Sequence, residues 1–228
     1  MYERGKQVAR NKYPEETINQ ILTVALNLFI QKGYEQTSIQ DIINELGGLT
    51  KGAIYHHYKS KEEIFQAVTD HMFKGADEML SGIRDDKELN GLEKLRKISR
   101  VSLDNPAQNE MASAGPSLLN NPKLLAAQFE NIFIKGVPLY IQPIIEQGMQ
   151  DGSIRTDYPR ELSEALMILT NFWLNPAVIQ TTPEIMLRKV RLFDDILKGL
   201  GLDLFDEQMI QRYEELYRLS AREVSNEK

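Results

Sequence analysis

Apolar side chains recur three and four residues apart almost from end to end of this chain, and no stretch alternates long enough to suggest a strand. Over 14–32, Ile18, Ile21, Leu22, Ala25, Leu28 and Phe29 form one stripe, and Gly33 ends the helix they predict. Thr37 or Ser38, with Gln40 or Asp41 three residues on, starts a second helix whose stripe is Ile39, Ile42, Ile43 and Leu46. Gly47-Gly48 stops it and opens a turn. A very short third helix follows, with Thr50 placed to cap it. Ser60-Lys-Glu-Glu63 has the S-x-x-E form of a capping box, so a fourth helix starts at about Lys61 and runs to about Ile83.

The rest also patterns as helix. Expected elements are 91–103, 122–152, 159–174, 184–198 and 206–222, with a less regular stretch over 107–120. Asp85-Asp86-Lys87-Glu88, Asn105-Pro106, Asn175-Pro176 and Gly199-Leu-Gly201 are breaks. Thr182-Pro183 is a start, with Thr as cap and Pro in the first position. The long helix from Pro122 holds Gly136, Pro138 and Pro143. Each interior proline removes a backbone hydrogen bond, so this helix should bow and leave space in its bundle. No internal repeat or low-complexity segment occurs.

The third helix carries the most chemistry. From Leu49 to Lys61 there is no acidic residue, and Lys51, Tyr55, His56, His57, Lys59 and Lys61 all offer donors. Gly52 leaves room for close backbone approach. A short, basic helix with a supporting helix ten residues upstream is the form of a helix-turn-helix, whose second helix probes the major groove. The expected DNA-contacting residues are Thr37, Ser38, Gln40, Thr50, Lys51, Gly52, Ala53, Tyr55, His56, His57, Lys59 and Lys61, with Lys51 nearest the bases and Lys61 on a phosphate. The commoner meaning of such a stretch is a solvated helix face; the helices around it shift the balance.

Net charge at first opposes this: it is −6. Residues 1–65, however, hold eight basic side chains (Arg4, Lys6, Arg10, Lys12, Lys32, Lys51, Lys59, Lys61) and eight acidic ones. The deficit therefore lies further on, and phosphate contact depends on local placement. Arg4, Lys6, Arg10 and Lys12 form a basic arm, more simply a solvated tail than a DNA contact.

These helices resemble the N-terminal signature of the TetR family of transcriptional regulators. The residues that carry the likeness are Ile21, Ala25, Leu28-Phe29, Gly33, Thr37-Ser38, Ile42, Gly47, Lys51-Gly52, Ile54-Tyr55, His57-Tyr58, Lys61 and Phe65. The match spans roughly 14–66 and departs in its doubled glycine, Gly47-Gly48. The resemblance implies an all-α fold: a three-helix DNA-binding domain over 1–62 and a helical ligand-binding and dimerisation domain over 63–228. It implies double-stranded operator DNA, a small-molecule effector and a second copy of the chain as partners, and no cofactor. It also implies dimerisation through 159–174 and 184–198, around Leu166 and Phe193. The apolar surface of 184–198 is wide, as a helix facing both core and partner should be.

The effector should be apolar or aromatic, because Met111, Phe129, Phe133, Tyr140, Met167, Phe172 and Trp173 supply bulky adaptable surface near the bowed helix. The plainer reading of each is an ordinary core residue. The chain has no cysteine, hence no disulfide or thiolate metal site. Its N-terminus lacks a signal-peptide core, and no apolar run nears the ~20 residues of a membrane span, so a cytoplasmic protein is expected. His56 and His57 point to different sides of a helix, and Glu62-Glu63 and Asp194-Asp195 are most simply solvated. No nucleophile or metal signature occurs, which disfavours an enzyme. The expected function is a repressor released from a palindromic operator by its effector. The alternative is a helical ligand-binding or protein-interaction dimer without operator-specific DNA binding.

Overall fold

The computed structural model describes residues 14–47, 51–104, 118–175, 178–179 and 181–215. All regular structure among them is helical. The basic arm, Gly48, Thr50, Met111, Pro176 and the end of the last expected helix lie outside the described residues. Two compact units divide between His71 and Met72. No helix among the described residues is long and apolar enough to cross a membrane.

The first unit holds α1 (Pro14–Lys32), α2 (Ile39–Glu45), α3 (Lys51–His57) and the start of α4 (Lys61–Arg84). Glu15 and Glu16 in the first turn and Lys32 in the last suit the helix dipole of α1. Gly33 stops it at φ 83°, a left-handed conformation that glycine adopts without strain. Ser38 and Asp41 form a reciprocal capping box on α2. Ile21, Ala25 and Phe29 from α1, Ile42 from α2, Ile54 from α3 and Ile64 from α4 are all fully buried. Phe65 and Val68 of α4 join them, which is why the division between units falls inside α4 rather than ahead of it. Phe29, Tyr34 and Phe65 add a triad of tilted and edge-on rings with centroids 5.0–5.7 Å apart.

The second unit contains the rest of α4 and α5 (Gly91–Leu103), followed by a 3₁₀ turn, Leu118–Asn120. A three-part helix comes next: α6 (Pro122–Asn131), a π-helical segment (Ile132–Ile141) and α7 (Gln142–Asp151). Then come α8 (Pro159–Ile168), a second π segment (Leu169–Trp173) and α9 (Pro183–Gly199). Residues 207–215 are helical. The irregularity expected from Pro138 and Pro143 therefore takes the form of a ten-residue π segment, with the Gln142 amide donating to Val137 five residues back. Thr182 caps α9 by accepting from the Ile185 amide at 3.4 Å.

The core of this unit gathers Leu95 and Leu103, Ile141, Ile144, Ile145 and Ile154, Leu162 and Leu166, and Met186, Val190, Phe193 and Leu197. Gly91 of α5 meets Gly148 of α7 so closely that a Cβ on Gly91 would lie 2.4 Å from the Gly148 backbone. The approach is fastened at its rim. The Gly91 amide donates to Asp151 Oδ2 at 2.9 Å, and the Lys94 ammonium, buried, donates to Gln147 and to the Arg84 carbonyl.

Two expectations are corrected here. Asp194 is not a solvated residue: it is buried, and its carboxylate accepts from Lys198 Nζ at 2.7 Å, one helical turn on. Leu166 and Phe193, expected at an interface between copies, sit in the core of a single chain, Phe193 with no exposure at all. The apolar surface that α9 does expose is Ile185, Leu192 and Ile196. A stripe too wide for one contact left the choice between neighbours open, and the packing of α9 resolves it.

Candidate nucleic-acid interface

α3 is seven residues long and has one buried anchor, Ile54. Its remaining surface faces outward: Lys51, Gly52, Tyr55 and His56 are exposed, and Ala53 and His57 are half-buried. The Lys51 ammonium lies 5.7 Å from the Tyr55 ring centroid, one turn along, so the two present a joined cationic and aromatic surface. His56 and His57 rings stand 5.3 Å apart and edge-on. The Tyr58 amide donates to the Ile54 carbonyl at 2.8 Å and closes the helix. Burial pushes the Tyr58 hydroxyl pKa up, so this phenol stays a neutral donor.

The link from α3 to α4 is built as a cap. Ser60 Oγ accepts from the Glu63 amide at 3.1 Å. The return bond of the expected capping box goes one residue further back, from the Lys59 amide to Glu63 Oε2 at 2.7 Å. That holds the Lys59 backbone while its side chain stays exposed. In α2, Ser38 and Gln40 are exposed; Ser38 is engaged in its cap, and Gln40 Nε2 donates to Asn44 at 2.9 Å.

Two of the expected DNA contacts fare differently. Thr37 is 1% exposed, and its hydroxyl donates to the Gly33 carbonyl at 2.8 Å and the Leu28 carbonyl at 3.3 Å. It locks the turn after α1 to the entry of α2 rather than reaching outward. Lys61 Nζ donates to the Tyr34 carbonyl at 2.9 Å and to Glu35 at 3.4 Å, and lies 4.2 Å from the Tyr34 ring centroid. A cation in the first turn of a helix opposes the dipole. Here it serves carbonyls of the turn that follows α1, sharing that of Tyr34 with the Thr37 amide at 3.2 Å. Tyr34 in turn donates its hydroxyl to Glu62 at 2.6 Å. Lys61 thus ties α4 to the turn after α1, a contact 27 residues apart in sequence that local pattern does not disclose.

The residues expected to bind an effector are dispersed in the second unit. Phe129, Phe133 and Phe172 come together, with centroids 4.6 Å and 5.7 Å from Phe129. Phe129 is half exposed and borders an open depression of about 360 Å³ with Pro122, Leu125, Ala126 and Glu130. Met167 lies against the π segment, its Cε 3.0 Å from where a Cβ of Gly136 would stand. Trp173 packs on the core, with Lys189 donating to its carbonyl at 3.1 Å. Tyr140 is buried and turned to α4, under the Arg84 guanidinium at 5.5 Å. No group of His, Cys, Asp and Glu able to hold a metal ion occurs among the described residues.

Comparison with known proteins bears on the first unit above all. Residues 21–68 match the N-terminal domain described as bacterial regulatory proteins, tetR family. The probable HTH-type transcriptional regulator ArpR of Pseudomonas putida is 36% identical over 84 residues, 37% of this chain and 40% of that protein. The HTH-type transcriptional regulator TtgR, also of Pseudomonas putida, is 34% identical over 84 residues, with the same shares of 37% and 40%. The chain thus covers about 40% of the length of these curated relatives. The HTH-type transcriptional repressor KstR2 of Rhodococcus jostii matches at 28% over 152 residues, 63% of this chain and 71% of that protein. Solved structures show the same all-helical fold across most of the chain. A gamma-butyrolactone receptor superposes with a TM-score of 0.53 at 18% identity, over 92% of this chain and 98% of that one. A putative fatty acid metabolism regulator of Clostridium perfringens gives 0.54 at 22%, over 82% and 98%. Residues 21–68, which contain the helix-turn-helix just described, are thus the part of the chain that matches the tetR family of bacterial regulatory proteins.

Proposed function

We propose that this protein is a transcriptional repressor that binds a palindromic operator as a homodimer and is released by a small apolar or aromatic effector. The observation that carries the reading is α3. A seven-residue helix anchored by Ile54 alone spends the rest of its surface on Lys51, Gly52, Tyr55 and His56. A helix whose only task was packing would bury more of itself. That KstR2 of Rhodococcus jostii is a repressor favours the negative sign of regulation.

One such helix buries too little surface for a tight specific site, whereas two copies reading half-sites about one helical turn apart reach it. The exposed row Ile185, Leu192 and Ile196 on α9, with Ile168 on α8, offers the apolar surface for that pairing. The effector fits best against Phe129, Phe133 and Phe172, where aromatic rings meet an open depression.

Binding of the purified chain to DNA from upstream of its own gene, followed across salt concentrations, tests the first half. Lys51→Ala is expected to cost about 1–3 kcal/mol on the preferred site and to relax sequence preference. Lys59→Ala should weaken every sequence alike and lower the salt slope by about 0.9. Lys61→Ala should instead loosen the first unit and leave the salt slope unchanged, because its ammonium is committed to backbone carbonyls. A parent protein with no sequence preference would sink the repressor reading in favour of a ligand-binding or interaction dimer. Identical salt slopes for parent and Lys59→Ala would remove Lys59 from the interface.

A further inference from the structure

The chain contains one Asn-Gly step, Asn90-Gly91, and one Asp-Gly step, Asp151-Gly152. The fold brings them together. The Gly91 amide donates to Asp151 Oδ2 at 2.9 Å, across 60 residues of sequence. The other carboxylate oxygen, Oδ1, accepts from the Ser153 amide at 2.9 Å. Asn90 is the N-cap of α5. Its Oδ1 accepts from the Glu93 amide at 2.9 Å, and its own amide donates to Glu93 Oε2 at 2.9 Å.

An asparagine followed by glycine is open to one intramolecular reaction, because glycine has no Cβ to shield its nitrogen. The Gly91 nitrogen gives up its proton and bonds to Asn90 Cγ, Nδ2 leaves as ammonia, and a five-membered succinimide results. Water then opens the ring. Addition at Cγ returns the ordinary chain with aspartate at 90. Addition at the main-chain carbonyl carbon reroutes the chain through Cβ and Cγ as isoaspartate. The sum is amide plus water to acid plus ammonia, with nothing oxidised or reduced.

Each participant is held back in this fold. The cap fixes the Asn90 carboxamide on the first turn of α5. The Asp151 carboxylate, bonded to the Gly91 amide, opposes loss of its proton. Gly91 cannot shift to let its peptide rotate, since a Cβ there would already lie 2.4 Å from the Gly148 backbone. Ring closure therefore waits on local separation of α5 from α7.

We propose that Asn90 is a deamidation site guarded by Asp151, and that its isoaspartyl product unfastens α5 from α7. Aspartate caps a helix as well as asparagine does, so the aspartyl product is silent. Isoaspartate adds a methylene to the main chain directly before Gly91, where there is no space to take it up. The reacting groups are Asn90 and the Gly91 amide; Asp151 is a positioning residue.

Ageing of the full chain in mildly alkaline buffer, with the mass gain and isoaspartate content of the peptide holding Asn90 followed in time, tests this. The native parent should react at least roughly tenfold more slowly than the same chain in urea, because only opened molecules can close the ring. Asp151→Ala should react roughly tenfold faster than the parent in native buffer, the weight of one hydrogen bond to a charged group, and at the parent's rate in urea. Ser153→Ala removes the neighbouring bond to the Leu92 amide, 3.2 Å long, and should stay closer to the parent than Asp151→Ala does. Asn90→Asp should melt with the parent, and the separated isoaspartyl fraction well below it. A native parent that reacts as fast as in urea, an Asp151→Ala chain no faster than the parent or than Ser153→Ala, or an isoaspartyl fraction as stable as Asn90→Asp overturns the proposal.

Discussion

Phe193→Ala is expected to cost about 3–5 kcal/mol of folding stability, read from urea unfolding of the full chain. The ring is wholly enclosed by the second unit's core and lies 5.6 Å from the ring of Phe205, so truncation leaves a cavity among Met186, Val190 and Leu197 on its own helix and the elements around them. Leu192→Glu, one position earlier, should do the opposite: leave stability nearly unchanged and abolish self-association. Leu192 is 51% exposed in the single chain. A carboxylate there is harmless to the fold, yet burying it unpaired between two copies costs several kcal/mol. Sedimentation of the two variants separates the roles. A Phe193→Ala protein as stable as the parent would contradict the packing of α9. A Leu192→Glu protein that still sediments as a dimer would place the interface elsewhere.

Gly91→Ala is the second large effect. The added methyl would lie 2.4 Å from the Gly148 Cα and nitrogen and 2.7 Å from the Ile144 carbonyl oxygen. All three are backbone atoms of α7, so no rotamer change relieves the clash. Helices α5 and α7 must separate, and the bonds from Gly91 to Asp151 and from Lys94 to Gln147 stretch with them. Destabilisation of about 1–3 kcal/mol or more is expected. Gly82→Ala is the control of opposite sign. Gly82 is exposed within α4 with nothing near its would-be Cβ, so alanine there should stabilise by roughly 0.5–1 kcal/mol. Thermal melts of the two variants should move in opposite directions. If both moved the same way, the close approach of α5 to α7 would not be a feature of the protein in solution.

Local signals announced the elements well. Ser38 with Asp41, and Thr182 with Pro183, each start a helix because a cap is satisfied within four residues. Gly33 ends α1 for an equally local reason, its positive φ. The helix-turn-helix was legible in the same way, since its spacing and its unopposed basic residues are properties of one short stretch. Pro138 and Pro143 marked where the long helix departs from α geometry, although not that the departure would be a π segment.

What tertiary structure alone decided are matters of long-range partnership. Lys61 carries the same charge as Lys51 and stands ten residues on, yet one reaches outward and the other is folded onto carbonyls of residues 34 and 35. Thr37 and Ser38 are adjacent hydroxyls; only the return of α1 shows that the first is enclosed. On α9, Leu192 and Phe193 are equally apolar, and only the packed bundle turns one inward and leaves the other out. The seven bulky residues grouped as one pocket separate into the Phe129 cluster, Tyr140 on α4 and Trp173 on the core, with Met111 outside the described residues. Sequence by itself determined where helices begin and end and which of them carries an exposed basic and aromatic surface, because those depend on neighbours within a turn or two. Which face each helix buries, and which charges are already committed, depend on groups tens of residues away, and only the folded chain brings them within hydrogen-bonding distance.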